Sequence, residues 1–243
     1  MNEDMTVWGW LTTAASWQGE DGIVHRLWQH VWLSGVSVLV ACLIALPIGI
    51  WLGHLGRGGA VAINLANVGR AIPTLGVIIL FAVSPLGLNT WTLIATLVVF
   101  AAPPILANAY VGVSTVNRDA KESARGMGMS GGQVLRQVEV PLALPLIAAG
   151  IRTSTLQVVA TATLAGYTGA GTLGQIVFRG FNINLDYLVV GGAILVAALA
   201  LVTELLLGLL QRAVTPAGLR VAGRGTARDA STLGRAAKAP AAA

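Results

Sequence analysis

The chain has 243 residues, of which 55% are hydrophobic and only 10% are charged, and its formal net charge is +5. Soluble domains carry about 25% charged residues because a hydrated surface needs them. This composition, with a mean hydropathy of +0.76, excludes an ordinary soluble domain and a disordered chain, and it predicts an all-α membrane protein.

The first 30 residues form a tryptophan-rich segment that contains Trp8, Trp10, Trp17 and Trp28. Tryptophan prefers the headgroup layer of a membrane because its ring is apolar and its N–H is polar. The segment starts with acidic residues, whereas a cleavable signal peptide starts with a basic region. We therefore predict that residues 1–30 form a short helix or hairpin lying on the outer surface of the membrane.

Five apolar stretches follow, each long enough to cross about 30 Å of hydrocarbon as a helix. Proline residues are expected to kink the second stretch at Pro73 and the third at Pro103 and Pro104. The predicted spans are residues 31–53, 61–83, 88–110, 142–164 and 187–210. An odd number of spans places the two termini on opposite sides of the membrane.

The basic residues predict the orientation of these spans. Most of them lie between spans one and two, between spans three and four, and after span five, whereas the other face has only Arg26 and Arg179. Because basic loops stay in the cytoplasm, we predict an outer N-terminus and a cytoplasmic C-terminus in the cell (plasma or inner) membrane. The basic excess is then a topology signal and does not predict nucleic-acid binding. The alanine- and arginine-rich residues 213–243 have no apolar period and are predicted to form a disordered tail that anionic membrane lipid attracts.

The loop between spans three and four, residues 117–141, has a predicted structure of its own. Asn117 can cap a helix that runs to Met127 and ends at Gly128. Ser130 and Gln133 form a capping box that starts a second short helix, which we expect Pro141 to end. Composition alone is also compatible with a plain solvated loop, so the spacing of the residues has to discriminate.

That spacing is Glu122-Ser123-Ala124, three residues, Gly128, nine residues, and Val138-Glu139-Val140-Pro141. It resembles the EAA loop of ABC-importer permeases, whose pattern is E-A-A-xxx-G, nine residues, I-x-L-P. Further stretches are similar to permeases of the osmoprotectant type, which serve glycine betaine, carnitine and choline. They are RAIPTL at 70–75, ESARGMGM at 122–129, VEVPLALP at 138–145, AGIRT at 149–153, GAGTLG at 169–174 and FRG at 178–180.

The resemblance implies a type I importer permease fold and a transport subunit without catalytic residues of its own. It implies two ABC ATPase subunits that hold the ATP, a second permease copy or paralogue, and an extracytoplasmic solute-binding protein; no cofactor is expected on this chain. The loop is then a lever that couples the ATPase to the spans, with charge presented by Glu122 and Arg125 and an apolar groove filled by methionine and alanine. The expected coupling residues are Glu122, Ser123, Ala124, Arg125, Met127, Gly128 and Met129.

Three charged residues lie inside predicted spans: Arg70, Arg152 and Glu204. A charge near the bilayer centre is costly unless it faces protein or water. Two hypotheses remain open at this stage. The charges line a translocation pathway, or Glu204 pairs with one of the arginines and locks the helix bundle.

A glycine-rich run, residues 166–174, follows span four. Glycine destabilises a helix by about 1 kcal/mol per residue, and non-helical backbone at membrane depth has to line a cavity or pack on protein. The run is either an outer gate or binding-protein dock, or a plain external loop. The gate hypothesis involves Tyr167, Gly169, Gly171, Gly174 and Phe178.

Other classes of function fit the sequence less well. No two acid–base or metal-ligand residues share a span at helical spacing, which argues against a membrane-embedded enzyme, and the three histidines lack metal-ligand spacing. An independent carrier built on an inverted repeat would not have five spans. The remaining alternative is a permease of the same type for another small solute such as an amino acid, because the EAA loop is associated with the ATPase and not with the cargo.

Overall fold

The structure is a computed structural model that describes residues 5–71, 73–87 and 89–215. Helices are its only regular elements within these ranges. The helices are α1 (Val7–Thr12), α2 (Ile23–Leu55), α3 (Gly59–Ala71), α4 (Thr74–Val83), α5 (Thr90–Ser114), α6 (Arg118–Gly126), α7 (Gly131–Val134), α8 (Val140–Ala165), α9 (Leu173–Asn182) and α10 (Asp186–Val214). Short 3-10 turns cover Ala14–Trp17 and Gly166–Thr168, and a π-helical turn covers Leu135–Glu139.

Four of the described helices are long and apolar enough to cross a membrane: Ile23–Leu55, Thr90–Ser114, Gly131–Thr168 and Asp186–Val214. A fifth candidate consists of two shorter helices, Gly59–Gly69 and Thr74–Phe81, bent by 78°. The bend coincides with Pro73, which lacks a backbone N–H and disfavours a helical conformation in the residue before it. The second predicted span is therefore bent into two helices, and the described residues contain four candidate spans, or five if the bent pair crosses as one.

Helix α2 begins at Ile23 and is 33 residues long, so it starts well before the span predicted at 31–53. At 1.5 Å per residue it measures about 50 Å, and it exceeds the hydrocarbon layer. Trp28 and Trp32 consequently belong to this helix, and only the residues before Gly22 form a separate N-terminal segment. In that segment Trp8 is exposed, whereas Trp10 is buried against Gly191 of α10.

Helix α5 lies at the centre of the bundle and packs between α2 and α8. Small residues allow the close approach: a Cβ at Gly49 of α2 would lie 2.6 Å from the carbonyl oxygen of Leu106, and one at Gly150 of α8 would lie 2.6 Å from the Cβ of Asn108. Helix α5 continues through Pro103 and Pro104. Buried hydrogen bonds add specificity, since the Ser154 hydroxyl of α8 donates to the carbonyl of Ala101 at 2.7 Å.

The second helix of the loop does not end at Pro141 as predicted. Residues 131–165 form one continuous helical stretch that includes the π-helical turn Leu135–Glu139. Within an α-helix, a proline clashes with the carbonyl four residues earlier, which for Pro141 is that of Gln137. Gln137 lies in the π turn, whose wider i→i+5 spacing gives the proline ring room. The predicted stop is therefore wrong: the second helix of the loop and the fourth span are one element. Of the predicted tail, residues 216–243 lie outside the described residues.

Candidate functional site

Helix α6 is built as its capping residues predicted. The Asn117 side chain accepts the backbone N–H of Asp119 at 2.6 Å, and the helix ends at Gly126, one residue before the predicted end. Gly128 has a φ of +86° and its N–H donates to the carbonyl of Arg125 at 2.9 Å. This left-handed conformation favours glycine, which explains the residue type at the end of α6.

The two faces of α6 differ. Glu122, Ser123 and Arg125 are exposed, and Glu122 accepts from Arg118 at 2.8 Å in an i,i+4 pair. Ala124 is 2% exposed and faces the interior of the chain, so it is not available to an outside groove, in contrast to the predicted role. The apolar residues that remain accessible are Met127, which is exposed, and Met129, which is half-buried.

The second part of the loop begins as predicted. The Gln133 side chain accepts the backbone N–H of Ser130 at 2.7 Å, which is the reciprocal half of a capping box. The helix then enters the π turn, whose last residue is Glu139. The loop is therefore a short exposed helix, a glycine-containing turn and the start of a membrane helix.

A buried ionic cluster, which the sequence did not predict, lies behind this loop. The Glu139 side chain is 1% exposed; its Oε2 lies 2.5 Å from His54 Nδ1 and its Oε1 lies 3.2 Å from Lys121 Nζ. His54 is in the last turn of α2 and Lys121 is in α6. The one available signal was an acidic residue between valines just before a proline, but its partners are remote in sequence.

The glycine-rich run packs tightly against its neighbours. Gly169 and Gly171 have positive φ values of 80° and 73°, and a Cβ at Gly174 would collide with the carbonyl oxygen of Thr163 in α8. The rings of Tyr167 and Phe178 contact edge to face, with centroids 5.4 Å apart. The five predicted gate residues therefore lie in one compact segment formed by the turn and the first helical turns of α9.

Two polar residues that were not predicted connect this segment to α2. Gln175 Oε1 accepts from Arg26 Nη1 at 2.7 Å and from the Gly171 N–H at 3.1 Å. Arg26 also pairs with Asp21. A cavity of about 310 Å³ adjoins the turn and is lined by Gln29, Trp32, Leu33, Asn89, Thr90, Leu93, Thr168, Gly169 and Ala170.

Two of the three charges predicted inside spans, Arg152 and Glu204, have described side chains. Glu204 of α10 pairs with Arg152 of α8, with Glu204 Oε2 2.9 Å from Arg152 Nε. Gln211 accepts from Arg152 at 3.0 Å and donates to the carbonyl of Pro145 at 3.2 Å. The Arg70 side chain lies outside the described residues. Across the described ranges, no three His, Cys, Asp or Glu side chains are grouped as metal ligands would be.

A family model described as "binding-protein-dependent transport system inner membrane component" matches residues 45–216. The chain is 40% identical over 203 residues to the carnitine transport permease protein OpuCB of Listeria monocytogenes, covering 84% of this chain and 93% of the relative. It is 35% identical over 198 residues to the glycine betaine/carnitine/choline transport system permease protein OpuCB of Bacillus subtilis (strain 168), covering 82% and 91%.

A solved structure of the MetNI methionine ABC transporter in an inward-facing conformation is also similar. Its matching chain has 25% sequence identity and a TM-score of 0.69, and the alignment covers 80% of this chain and 96% of that one. The alignment thus includes most of the helical bundle described above.

Proposed function

The chain belongs to the family of binding-protein-dependent transport system inner membrane components and is a permease subunit of an ABC importer, and we propose that its cargo is an osmoprotectant such as glycine betaine, choline or carnitine. It is a multi-pass inner-membrane protein, and it is a transport subunit and not an enzyme, like the transport permeases it is similar to. The observation that carries the cargo proposal is the identity of 35–40% to permeases named for these solutes, over more than four-fifths of the chain.

The proposed partners are two ABC ATPase subunits, a second permease copy or paralogue, and an extracytoplasmic solute-binding protein. ATP is bound by the ATPase subunits in this proposal. The proposed orientation has five spans, with the bent pair α3–α4 crossing as one, an outer N-terminus and a cytoplasmic C-terminus. The distribution of basic residues supports this orientation, because it places the exposed helix α6 in the cytoplasm with the ATPase.

We propose that α6 and the turn after it form the coupling element. Glu122, Arg125 and Met127 are exposed on the outward side of this element, which suits a protein partner that offers both charge and an apolar groove. Ser123, Gly128 and Met129 complete the contact surface, and Ala124 anchors the helix to its own chain. At the opposite end of the bundle, the segment with Tyr167, Gly169, Gly171, Gly174 and Phe178 is the proposed outer gate.

The test of the cargo is uptake of labelled glycine betaine, choline and carnitine in cells with and without this chain, at normal and raised osmolarity. We expect ATP-dependent uptake of at least one of them to be lost without the chain. A chain with Gly128→Asp, which is expected to uncouple transport from ATP hydrolysis, is the matched inactive control. Unchanged uptake of all three solutes would contradict the osmoprotectant proposal and leave the permease assignment intact.

A second cargo class is an amino acid. The observation in support of this second candidate is the similarity of the fold to the MetNI methionine transporter, at 25% identity. Including labelled methionine in the same uptake measurement separates the two, because only one class is expected to depend on this chain.

A further inference from the structure

A buried carboxylate joins three helical elements directly behind the proposed coupling helix. Glu139 is the last residue of the π turn that leads into α8, and its side chain is 1% exposed. The side chains of His54 and Lys121 that surround it are 14% and 17% exposed. All three residues are outside the set assigned to the contact with the ATPase.

The polar atoms of this cluster contact several helical elements. One carboxylate oxygen of Glu139 is 2.5 Å from His54 Nδ1 in the last turn of α2. The other is 3.2 Å from Lys121 Nζ of α6, and the same Nζ donates to the carbonyl of Val113 in the last turn of α5 at 3.1 Å. The ends of α2 and α5 and the start of α8 are therefore all connected to α6 through Lys121 and Glu139.

The cluster lies on the inward face of α6. Lys121 and Ala124 are three residues apart and so share one face of the helix, and Ala124 is buried as well. Glu122 and Arg125 are exposed on the other side. Helix α6 thus has an outward face that is exposed to a partner and an inward face that is attached to the membrane bundle by the Lys121 cation and by buried Ala124.

Separation of this pair would be costly. A buried carboxylate that loses its cation remains as an uncompensated charge in a medium of low dielectric constant. A displacement of α6 that keeps the pair intact must move the start of α8 and, through His54, the end of α2. The turn at Gly128 connects α6 covalently to the helix that leads into α8, but it does not connect α6 to α2 or α5.

We propose that Lys121, Glu139 and His54 are positioning residues that transmit the movement of α6 to the ends of α2 and α8. This inference rests on the proposed coupling function of α6. The outward residues of α6 engage the ATPase, and the buried cluster converts displacement of that helix into displacement of the membrane helices. A transporter without the cluster binds its ATPase subunits and hydrolyses ATP, but each ATP hydrolysed drives much less transport.

The experiment uses the complete transporter, with its ATPase subunits and binding protein, in lipid vesicles. Three quantities are measured: retention of the ATPase subunits during purification, the rate of ATP hydrolysis, and the flux of labelled glycine betaine or methionine, whichever the wild-type complex accumulates. The informative variant is Lys121→Met with Glu139→Gln, because removing both charges leaves no unpaired charge that would prevent folding. Lys121→Arg keeps the cation, and Arg136→Gln removes an exposed cation from the same π turn as a control.

We expect the double variant to retain the ATPase subunits and to hydrolyse ATP, with flux per ATP reduced about tenfold, the size of a typical coupling between two sites. Lys121→Arg and Arg136→Gln are expected to keep the wild-type flux per ATP. A wild-type flux per ATP in the double variant would overturn the inference. Loss of the ATPase subunits from the double variant would also overturn it, because the cluster would then serve docking or folding and not transmission. A wild-type chain that fails to retain ATPase subunits would instead contradict the proposed function, and the inference with it.

Discussion

Single residues in this protein are often determined by a contact in another helix. Gly174 is the clearest example, since a Cβ there would overlap the carbonyl oxygen of Thr163. We predict that Gly174→Ala destabilises the chain by about 1–3 kcal/mol, the usual cost of overpacking, because α9 has to move away from α8. The measurement is thermal unfolding in detergent.

The matched control is Gly35→Ala in α2, where an added Cβ has no atom within 4 Å. This substitution is expected to leave the unfolding temperature unchanged or to raise it, because alanine favours a helix over glycine. Equal stability of the two variants would contradict the close packing of α9 on α8.

The pair formed by Arg152 and Glu204 gives a second prediction at this scale. Glu204→Gln replaces a hydrogen-bonded charge and is expected to lower the free energy of unfolding by about 1.5–3 kcal/mol, the range for hydrogen bonds to charged groups. The measured quantity is the yield of folded protein together with its unfolding temperature. The exchanged variant, Arg152→Glu with Glu204→Arg, is expected to recover part of the loss, and an exchange that recovers nothing would argue against pairing.

At the scale of elements, the end of α6 carries the third prediction. Gly128 has a φ of +86° and an added Cβ there has no atom within 4 Å, so any effect of a substitution comes from the backbone or from a partner. A residue with a side chain is strained in this region by about 1–2 kcal/mol. We predict that Gly128→Asp inserts into the membrane normally but loses transport while ATP hydrolysis persists.

Gly126→Asp is the control for this experiment. Gly126 is the last residue of α6, has no positive φ, and also has open space around it, so the two variants add the same charge two residues apart. We expect Gly126→Asp to retain transport. Normal transport by Gly128→Asp, measured as flux per ATP hydrolysed, would refute the lever interpretation of the loop.

At the scale of the whole molecule, the fourth prediction concerns orientation. After Cys42→Ser removes the single cysteine, a cysteine is placed at exposed Ala15 or at exposed Gly132. In right-side-out membrane vesicles, a membrane-impermeant maleimide is expected to label Ala15→Cys, and to label Gly132→Cys only after the vesicles are opened. The basic loops are the physical reason, since they stay in the cytoplasm. The opposite labelling pattern would reverse the proposed topology.

Sequence was sufficient for features that depend on local chemistry. Apolar length predicted the long helices, because a membrane helix satisfies its own backbone hydrogen bonds. Asn117, Gly128 and Ser130 predicted both ends of α6 and the start of the second loop helix to within a residue, because capping acts over three or four residues. Pro73 likewise marked the break between α3 and α4.

Features that depend on remote contacts were decided only by the tertiary structure. His54 and Glu139 are 85 residues apart, and Arg26 and Gln175 are 149 apart, so no local pattern connects them. The burial of Ala124 likewise depends on what packs behind it. Local propensity therefore determined which segments of this protein are helices. The pairing of buried charges determined how the loop is attached to the bundle, because a buried charge is destabilising unless its partner is in contact with it.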